Sequence, residues 1–196
     1  EEMMRRALGL KTIAEAVSIH HWLYAAIDRA RADGRPAAVV VVGGGYTGFE
    51  AASHAARLIH RRSRLPFGRI AEICPVIVVE KSATVLGNVS EKVRTWAGEL
   101  MRGYGIEVLT GTTASAPDLE GSVTLSNGRT LKNALVIWAT GVTPGEEVAS
   151  FSPERNRGRV AVDEHLRVKG HERLFAAGDV AAPCPPGQSL PLRMGV

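Results

Sequence analysis

A run of four valines that ends in three consecutive glycines constrains the fold of this chain more than any other stretch. Residues 37–42 form a short, continuous apolar segment of the kind found in buried strands of parallel sheets. The glycines at 43–45 interrupt this run, and an alanine-rich segment then predicts a helix as far as about Arg62. Its inner face is small, with alanine at positions 51, 52, 55 and 56. A strand that turns through glycines into a helix is typical of the start of a β-α-β unit.

The glycines have the spacing G-x-G-x-x-G, at Gly43, Gly45 and Gly48. Gly43 permits a tight turn, Gly45 leaves no side chain between the backbone and a pyrophosphate, and Gly48 lets the helix pack closely on the strand. The free amides and the dipole at the helix start would bind the diphosphate. The spacing alone also suits a tight turn without a ligand, but its place between a strand and a helix favours a dinucleotide.

A second buried strand, at 75–80, ends in Glu80, where a carboxylate can accept hydrogen bonds from both adenine-ribose hydroxyls. Glu80 lies further from Gly48 than the usual ~20 residues. We attribute the excess to an arginine-rich insertion between His60 and Pro75, which lengthens the first crossover. A carboxylate repels a 2′-phosphate and therefore favours NADH over NADPH, although Lys81 weakens this inference. The alternative is a solvated glutamate at a strand end.

The segment before the valines predicts a helix, in which Thr12 and Glu15 form a capping box and Gly34 and Pro36 end the helical pattern. Its apolar positions recur at helical spacing, at Ile13, Ala16, Val17, His20, Leu23, Ile27 and Ala30.

Further segments complete an alternating pattern. A helix capped by Ser90 leads to a third strand near 106–112, and a fourth buried strand follows at 134–141. Between these strands, Asn127-Gly128 separates two alternating runs and predicts a hairpin with a type I′ turn. The order predicts an α/β fold, a doubly wound Rossmann-like parallel sheet with an antiparallel β-meander. After it, residues 158–168 indicate a pair of short strands.

Composition narrows the class further. The chain has 196 residues, 45% hydrophobic and 22% charged, which is typical of a globular protein in water. No apolar run approaches the ~20 residues of a membrane span, and no signal-peptide pattern opens the sequence. Two cysteines, Cys74 and Cys184, are too few for a disulfide framework or a zinc site. We therefore expect structural thiols, no metal and a cytoplasmic location.

The net charge of +4 is concentrated in the basic run at 60–69. The simplest interpretation is a solvated helix end and loop. An anionic lipid or another acidic surface is the alternative. Nucleic acid is not expected, because no aromatic side chains are interleaved with the arginines.

Five collinear stretches resemble a known family. They are "VVGGGYTGFEAA", "VIVVEKSATVLG", "GYGIEVLTGT", "ALVIWATGVTP" and "LFAAGDVA", and the similarity covers roughly residues 10–182. The family is that of the FAD-dependent pyridine nucleotide oxidoreductases, flavoproteins with two dinucleotide-binding domains. Within it, the sequence is most similar to the type II NADH dehydrogenases.

The resemblance implies a role for each matching position. The diphosphate of NADH would lie on the glycine turn and the helix start, and the adenine ribose would lie near Glu80 and Lys81. The nicotinamide half would pass close to the backbone at Thr140 and Gly141. Gly178 and Asp179 match the positions that bind FAD. The cofactor-binding set is therefore Gly43, Gly44, Gly45, Tyr46, Thr47, Gly48, Glu80, Lys81, Thr140, Gly141, Gly178 and Asp179.

Two residues match positions near the reacting groups in relatives. Glu50 corresponds to an acid near the nicotinamide–flavin junction, although a first-turn acid favoured by the helix dipole is the alternative. Tyr46 replaces a proline that is frequent in the dehydrogenases and resembles the tyrosine of the related disulfide reductases. There it covers the nicotinamide pocket, so Tyr46 is either such a gate or a packing residue.

The resemblance also implies an organisation in three parts. Residues 1–35 would be a linker helix segment leading from an FAD-binding half that this sequence lacks. Residues 36–145 would bind NAD(H), and 146–196 would return towards the FAD-binding domain, as flanking remnants of that second domain.

The expected function is that of the NADH-binding domain of an FAD-dependent NADH dehydrogenase, inactive by itself. Hydride would pass from NADH to FAD, and electrons then to a quinone or another small acceptor. The alternatives are a pyridine nucleotide-disulfide reductase and a non-catalytic NAD(H)-sensing module. For the whole protein, peripheral association with the inner face of the cell membrane and a homodimer are further expectations from the resemblance.

Overall fold

A computed structural model describes residues 7–141, 148, 155–156 and 158–183. Two compact units divide the chain, one at 1–141 and the other at 142–196. Cys184 lies outside the described residues.

A five-stranded parallel sheet is the centre of the first unit. Its strands follow the spatial order β1-β7-β2-β3-β4. The elements of this unit are β1 (Ala7–Leu8), α1 (Ile13–Asp33), β2 (Ala38–Val42), α2 (Tyr46–Ser63), β3 (Val76–Glu80), α3 (Glu91–Gly103), β4 (Ile106–Thr110), β5 (Val123–Thr124), β6 (Thr130–Leu131) and β7 (Ala134–Trp138). The sheet and its helices confirm the predicted α/β class.

The valine run is buried on both faces of the sheet because its side chains alternate. Val39 and Val41 pack with α1, α2 and α3, whereas Val40 and Val42 pack under the β5–β6 pair. Both faces of β2 are therefore apolar, which explains why its sequence is continuously hydrophobic.

The predicted ends of α1 are confirmed. The Thr12 hydroxyl accepts a hydrogen bond from the Glu15 amide, and the Glu15 carboxylate accepts one from the Thr12 amide. At the other end, Gly34 adopts a left-handed conformation with φ 66°, and its amide donates to the carbonyl oxygen of Ala30. Local capping signals thus determine this helix at both ends.

The arginine-rich insertion forms the end of α2 and a 3-10 turn at Phe67–Glu72. Arg62 pairs with Asp28 of α1 at 2.6 Å and lies over the ring of Tyr24. Arg69 pairs with Glu72 at 2.7 Å. For Arg62 and Arg69, these exposed pairs support the interpretation that the basic run is a solvated helix end and loop. They do not test contact with an anionic surface.

Two details of the sequence prediction are wrong. A type I′ turn needs positive φ at both central residues, but Asn127 does not have it and only Gly128 does, at 87°. The Gly128 amide donates to the Leu125 carbonyl oxygen, as in a three-residue hairpin loop that ends in a left-handed glycine. Ser90 occupies the N-cap of α3, but its side chain makes no capping hydrogen bond.

The second unit contains a small three-stranded sheet, in the order β10-β9-β8. Its strands are β8 (Arg155–Asn156), β9 (Arg159–Val162) and β10 (Ala181–Pro183). Val162, at the end of β9, also forms an antiparallel bridge with Val168. Of the predicted pair of strands, the first is therefore β9 and the second is present only as this bridge. A 3-10 turn at Gly178–Val180 leads directly into β10.

Candidate functional site

The predicted turn lies where three parallel strands end. Val42, the last residue of β2, pairs with Trp138 of β7 on one side and with Val79 of β3 on the other. In the sheet, β3 lies on one side of β2 and β7 on the other, so the strand order reverses at β2. Ligands of open α/β sheets bind at such a reversal of strand order, outside the carboxyl ends of the strands.

Gly43 and Gly48 are required by packing. Gly43 has φ 113°, and a Cβ there would lie 2.5 Å from the Ala139 carbonyl oxygen. A Cβ on Gly48 would overlap the carbonyl oxygen of Gly43. The tight turn and the close approach of helix to strand, both predicted from the spacing, therefore leave no room for side chains.

Gly45 differs, because no contact within the described ranges explains the absence of its side chain. Its φ of −81° and ψ of −170° suit any residue, and no described atom outside its chain neighbours lies within 4 Å of where its Cβ would be. It is the N-cap of α2 and provides no side chain to cap the first turn. Uncapped amides at an open helix start can donate hydrogen bonds to an anionic group.

Glu80 is held beside this turn by the backbone. Its Oε2 accepts a hydrogen bond from the Gly44 amide and its Oε1 one from the Ser82 amide, both at 2.7 Å. Partial burial raises the pKa of Glu80, but these two hydrogen bonds and the nearby Lys81 hold the pKa below its ordinary value. An ionised carboxylate accepts about four hydrogen bonds, so Glu80 retains capacity to accept from a ribose hydroxyl.

The other predicted residues of this site are exposed around the turn. Tyr46 is the first residue of α2 and Thr47 the second, and Tyr46 is 43% exposed. Lys81 follows β3, and Thr140 and Gly141 follow β7 at the same edge of the sheet. Gly141 has φ 108°, and in the described part of the chain no atom lies within 4 Å of a Cβ placed on it. The structure thus brings together the residues predicted for the NADH half.

Glu50 lies beside a different feature. It is the fifth residue of α2, outside the first turn, so the alternative of a first-turn acid is wrong. Its side chain lines an apolar groove of about 690 Å³ between α1 and α2. Ile13 and Val17 of α1 also line it and are 85% and 47% exposed, so the predicted apolar face of α1 is buried only further along the helix.

The residues predicted for FAD lie in the second unit. Gly178 has φ 74° and begins the 3-10 turn, and the Asp179 side chain is 63% exposed. A guanidinium nitrogen of Arg159 lies 3.9 Å from the Asp179 carboxylate. An exposed carboxylate beside an open glycine is compatible with the hydroxyl groups of a ribityl chain.

Several features bear on the other expectations. Cys74 is a free, buried thiol, and burial raises its pKa to about 12. In the part of the chain that the structure describes, no three His, Cys, Asp or Glu side chains come together as metal ligands. No helix within the described ranges combines the length and the apolarity that crossing a bilayer requires.

Leu86 was missed by sequence reasoning. Its amide donates to the carbonyl oxygen of Gly44 at 2.7 Å, so the loop after β3 contacts the glycine turn directly. A leucine in a polar loop carries no sequence signal for such a contact.

A parallel sheet with an open glycine turn and an acid at the end of the next strand is the arrangement typical of nucleotide-binding α/β domains. The model of the pyridine nucleotide-disulphide oxidoreductase family matches residues 6–193, and the chain belongs to this family.

Relatives within the family are longer than this chain. An NADH dehydrogenase-like protein of Mycobacterium tuberculosis is 35% identical over 148 residues, which are 74% of this chain and 36% of the relative. The type II NADH:quinone oxidoreductase NdhA of the same organism is 30% identical over 196 residues, or 92% and 42% of the two chains. The chain therefore spans less than half the length of these relatives.

A solved structure has the same fold. NDH2 of Plasmodium falciparum, in complex with NADH, superposes with a TM-score of 0.72 at 23% identity, over 91% of this chain and 40% of that one.

Proposed function

We propose that residues 36–145 bind NADH, with the diphosphate on the amides that follow Gly45. The adenine ribose then lies at Glu80 and Lys81, and the nicotinamide half passes Thr140 and Gly141. The observation that carries this proposal is the open, uncapped start of α2. Gly45 stands there although no packing contact within the described ranges excludes a side chain.

Glu80 supports the same placement. Its two hydrogen bonds to backbone amides fix the carboxylate next to the turn, and its lowered pKa keeps it ionised at neutral pH. A fixed negative charge at this position accepts ribose hydroxyls and repels a 2′-phosphate. The preference for NADH over NADPH follows from this charge.

We further propose that the whole protein is an FAD-dependent NADH dehydrogenase. The bound cofactors would supply hydride transfer from NADH to FAD, and a quinone would be the final acceptor, as the name of the NdhA relative indicates for that protein. In this chain, Gly178 and Asp179 contribute to the flavin site. Glu50 stands near the nicotinamide–flavin junction, and Tyr46 covers the nicotinamide position until the dinucleotide arrives.

The domain organisation belongs to this proposal. Residues 1–35 link the NADH-binding domain to an FAD-binding half, and 146–196 return towards it. The protein acts in the cytoplasm, peripherally on the inner face of the membrane where quinones dissolve, and as a homodimer.

Two experiments test the proposal at its two levels. Titration of the chain with NADH and NADPH, followed by nicotinamide fluorescence, should show a preference for NADH that Glu80→Arg reduces or reverses. Glu80→Gln is the matched control for loss of charge without reversal. If the wild type, Glu80→Arg and Glu80→Gln all have the same affinities for NADH and for NADPH, Glu80 does not contact the ribose.

The whole protein, purified with its flavin, should oxidise NADH and reduce a soluble quinone. Binding of NADH without flavin-dependent oxidation would instead support a sensing module. Transfer of electrons to a disulfide but not to the quinone would identify a disulfide reductase.

A further inference from the structure

The peptide between Gly44 and Gly45 is fixed by a residue outside the glycine turn. The carbonyl oxygen of this peptide accepts the Leu86 amide at 2.7 Å. On the preceding peptide, the Gly44 amide donates to Glu80 at 2.7 Å. Gly44 is therefore held through both of its backbone polar groups.

The orientation of this peptide determines where the Gly45 amide points. In a trans peptide the N–H group is directed opposite to the C=O group. Because Leu86 binds the carbonyl oxygen, the Gly45 amide points away from the loop after β3. Within the described ranges, this amide makes no hydrogen bond, and Gly45 is exposed.

Leu86 adopts an unusual conformation to reach this position. Its φ is 49°, in the left-handed region that leucine rarely occupies, and the residue is buried, with 7% of its surface exposed. The adjacent Gly87, which could adopt positive φ without strain, does not have it. Strained backbone of this kind persists only where the surrounding structure requires it, and it is frequent at functional sites.

The loop packs on the glycine turn as well as bonding to it. A Cβ on Gly44 would lie 2.7 Å from Cγ1 of Val85 and 3.0 Å from the Cβ of Glu80. The loop is itself anchored, since the Ser82 carbonyl oxygen accepts the Gly111 amide at 3.0 Å. The turn therefore has little freedom to rotate while these contacts last.

We propose that Leu86 is a positioning residue, whose amide fixes the Gly44–Gly45 peptide and so directs the Gly45 amide at the diphosphate. This inference rests on the proposed NADH site. This role requires no contact between Leu86 and the dinucleotide, because the Leu86 backbone amide performs it. The turn is preorganised, and the dinucleotide does not have to order it on binding.

Two substitutions separate backbone orientation from side-chain packing. Leu86→Ile keeps the side-chain volume but strongly disfavours positive φ, because Ile is branched at Cβ. Leu86→Gly keeps the backbone conformation and loses the side chain. Leu166, which has φ 62° in the other unit, gives the matched control Leu166→Ile.

The test compares the affinities of the whole chain for NADH and for adenosine, measured by calorimetry and NMR titration. Leu86→Ile should weaken NADH at least about tenfold, the effect of one misdirected hydrogen bond to a charged group, and leave adenosine unchanged. Leu86→Gly should lower the melting temperature but keep NADH affinity within about threefold, a change of less than 1 kcal/mol. Leu166→Ile should change neither affinity.

Amide hydrogen exchange supplies a test that does not need a folded Leu86→Ile protein. In the wild-type chain without ligand, the Leu86 amide should exchange slowly and the Gly45 amide fast, and NADH should slow Gly45. A fast Leu86 amide in a chain that binds NADH would overturn the positioning role alone. So would unchanged NADH affinity in Leu86→Ile, or equal losses of NADH and adenosine.

If the wild-type chain does not bind NADH, the proposed function fails and this inference fails with it. The Leu86 amide would still be protected in that case. The two failures are therefore distinguishable.

Discussion

The glycines of the turn should respond to the same substitution in opposite ways. At position 45, no described atom lies within 4 Å of the place that an alanine Cβ would take. The backbone conformation there is one that alanine adopts freely. Loss of a glycine N-cap costs several tenths of a kcal/mol, and reduced freedom of the unfolded chain offsets part of this. Gly45→Ala should therefore change the free energy of unfolding by less than about 1 kcal/mol.

Binding should suffer much more than stability. A diphosphate that bonds to backbone amides must approach them to ~3 Å, and the new methyl group occupies that approach. Loss of one hydrogen bond to a charged group removes about 1.5–3 kcal/mol. Gly45→Ala should therefore weaken NADH about 10- to 150-fold.

Gly48→Ala should show the reverse. Its Cβ would overlap the Gly43 carbonyl oxygen, a backbone atom that cannot move without displacing the turn. We expect a loss of about 3 kcal/mol or more in the free energy of unfolding. Gly68→Ala, at a position in the 3-10 turn where no described atom lies near the Cβ, is the control; it should leave NADH affinity unchanged and should not lower the free energy of unfolding.

Urea denaturation and NADH calorimetry on the three variants supply both quantities. A Gly45→Ala protein that binds NADH like the wild type would refute the placement of the diphosphate. A Gly48→Ala protein of unchanged stability would refute the close contact of α2 with the turn.

Three further predictions concern stability and reactivity. Because the folded-state pKa of Glu80 is lowered, its contribution is present at neutral pH and lost as the pH falls below 4.5, the ordinary value, through the folded pKa. The melting temperature of Glu80→Gln should lie below that of the wild type at pH 7, and the two should converge on acidification; a constant difference would contradict this. Gly98→Ala, inside α3 with open space at its Cβ, should raise the free energy of unfolding by about 0.5–1 kcal/mol in urea, and a decrease would show an unseen contact. In a Cys184→Ser protein, Cys74 should resist a thiol reagent until the chain unfolds, and labelling as fast as that of a free cysteine would disprove its burial.

The features that sequence reasoning predicted depend on local signals. The valine run, the glycine spacing and the Thr12–Glu15 capping box each determine their structure within a few residues, and the structure confirms them. The position of Glu80 at the strand end was also predictable, because parallel strands end at one edge of the sheet.

The remaining features depend on distant parts of the chain. The hydrogen bond between Gly44 and Glu80 joins residues 36 positions apart, and Leu86, with its positive φ, also donates to Gly44 from a distant part of the chain. The exposure of Ile13 has the same origin, since periodicity indicates an apolar face but not what covers it. The type I′ prediction was wrong because Asn-Gly also suits the longer hairpin loop that the chain adopts.

The central claim is that an anionic diphosphate binds the amides that follow Gly45. NMR titration of the ¹⁵N-labelled chain with ADP-ribose tests it most directly. The account predicts saturable shifts that are largest at residues 43–48 and extend to Glu80. Shifts confined to the groove between α1 and α2, or no saturable shifts at the turn, would contradict it.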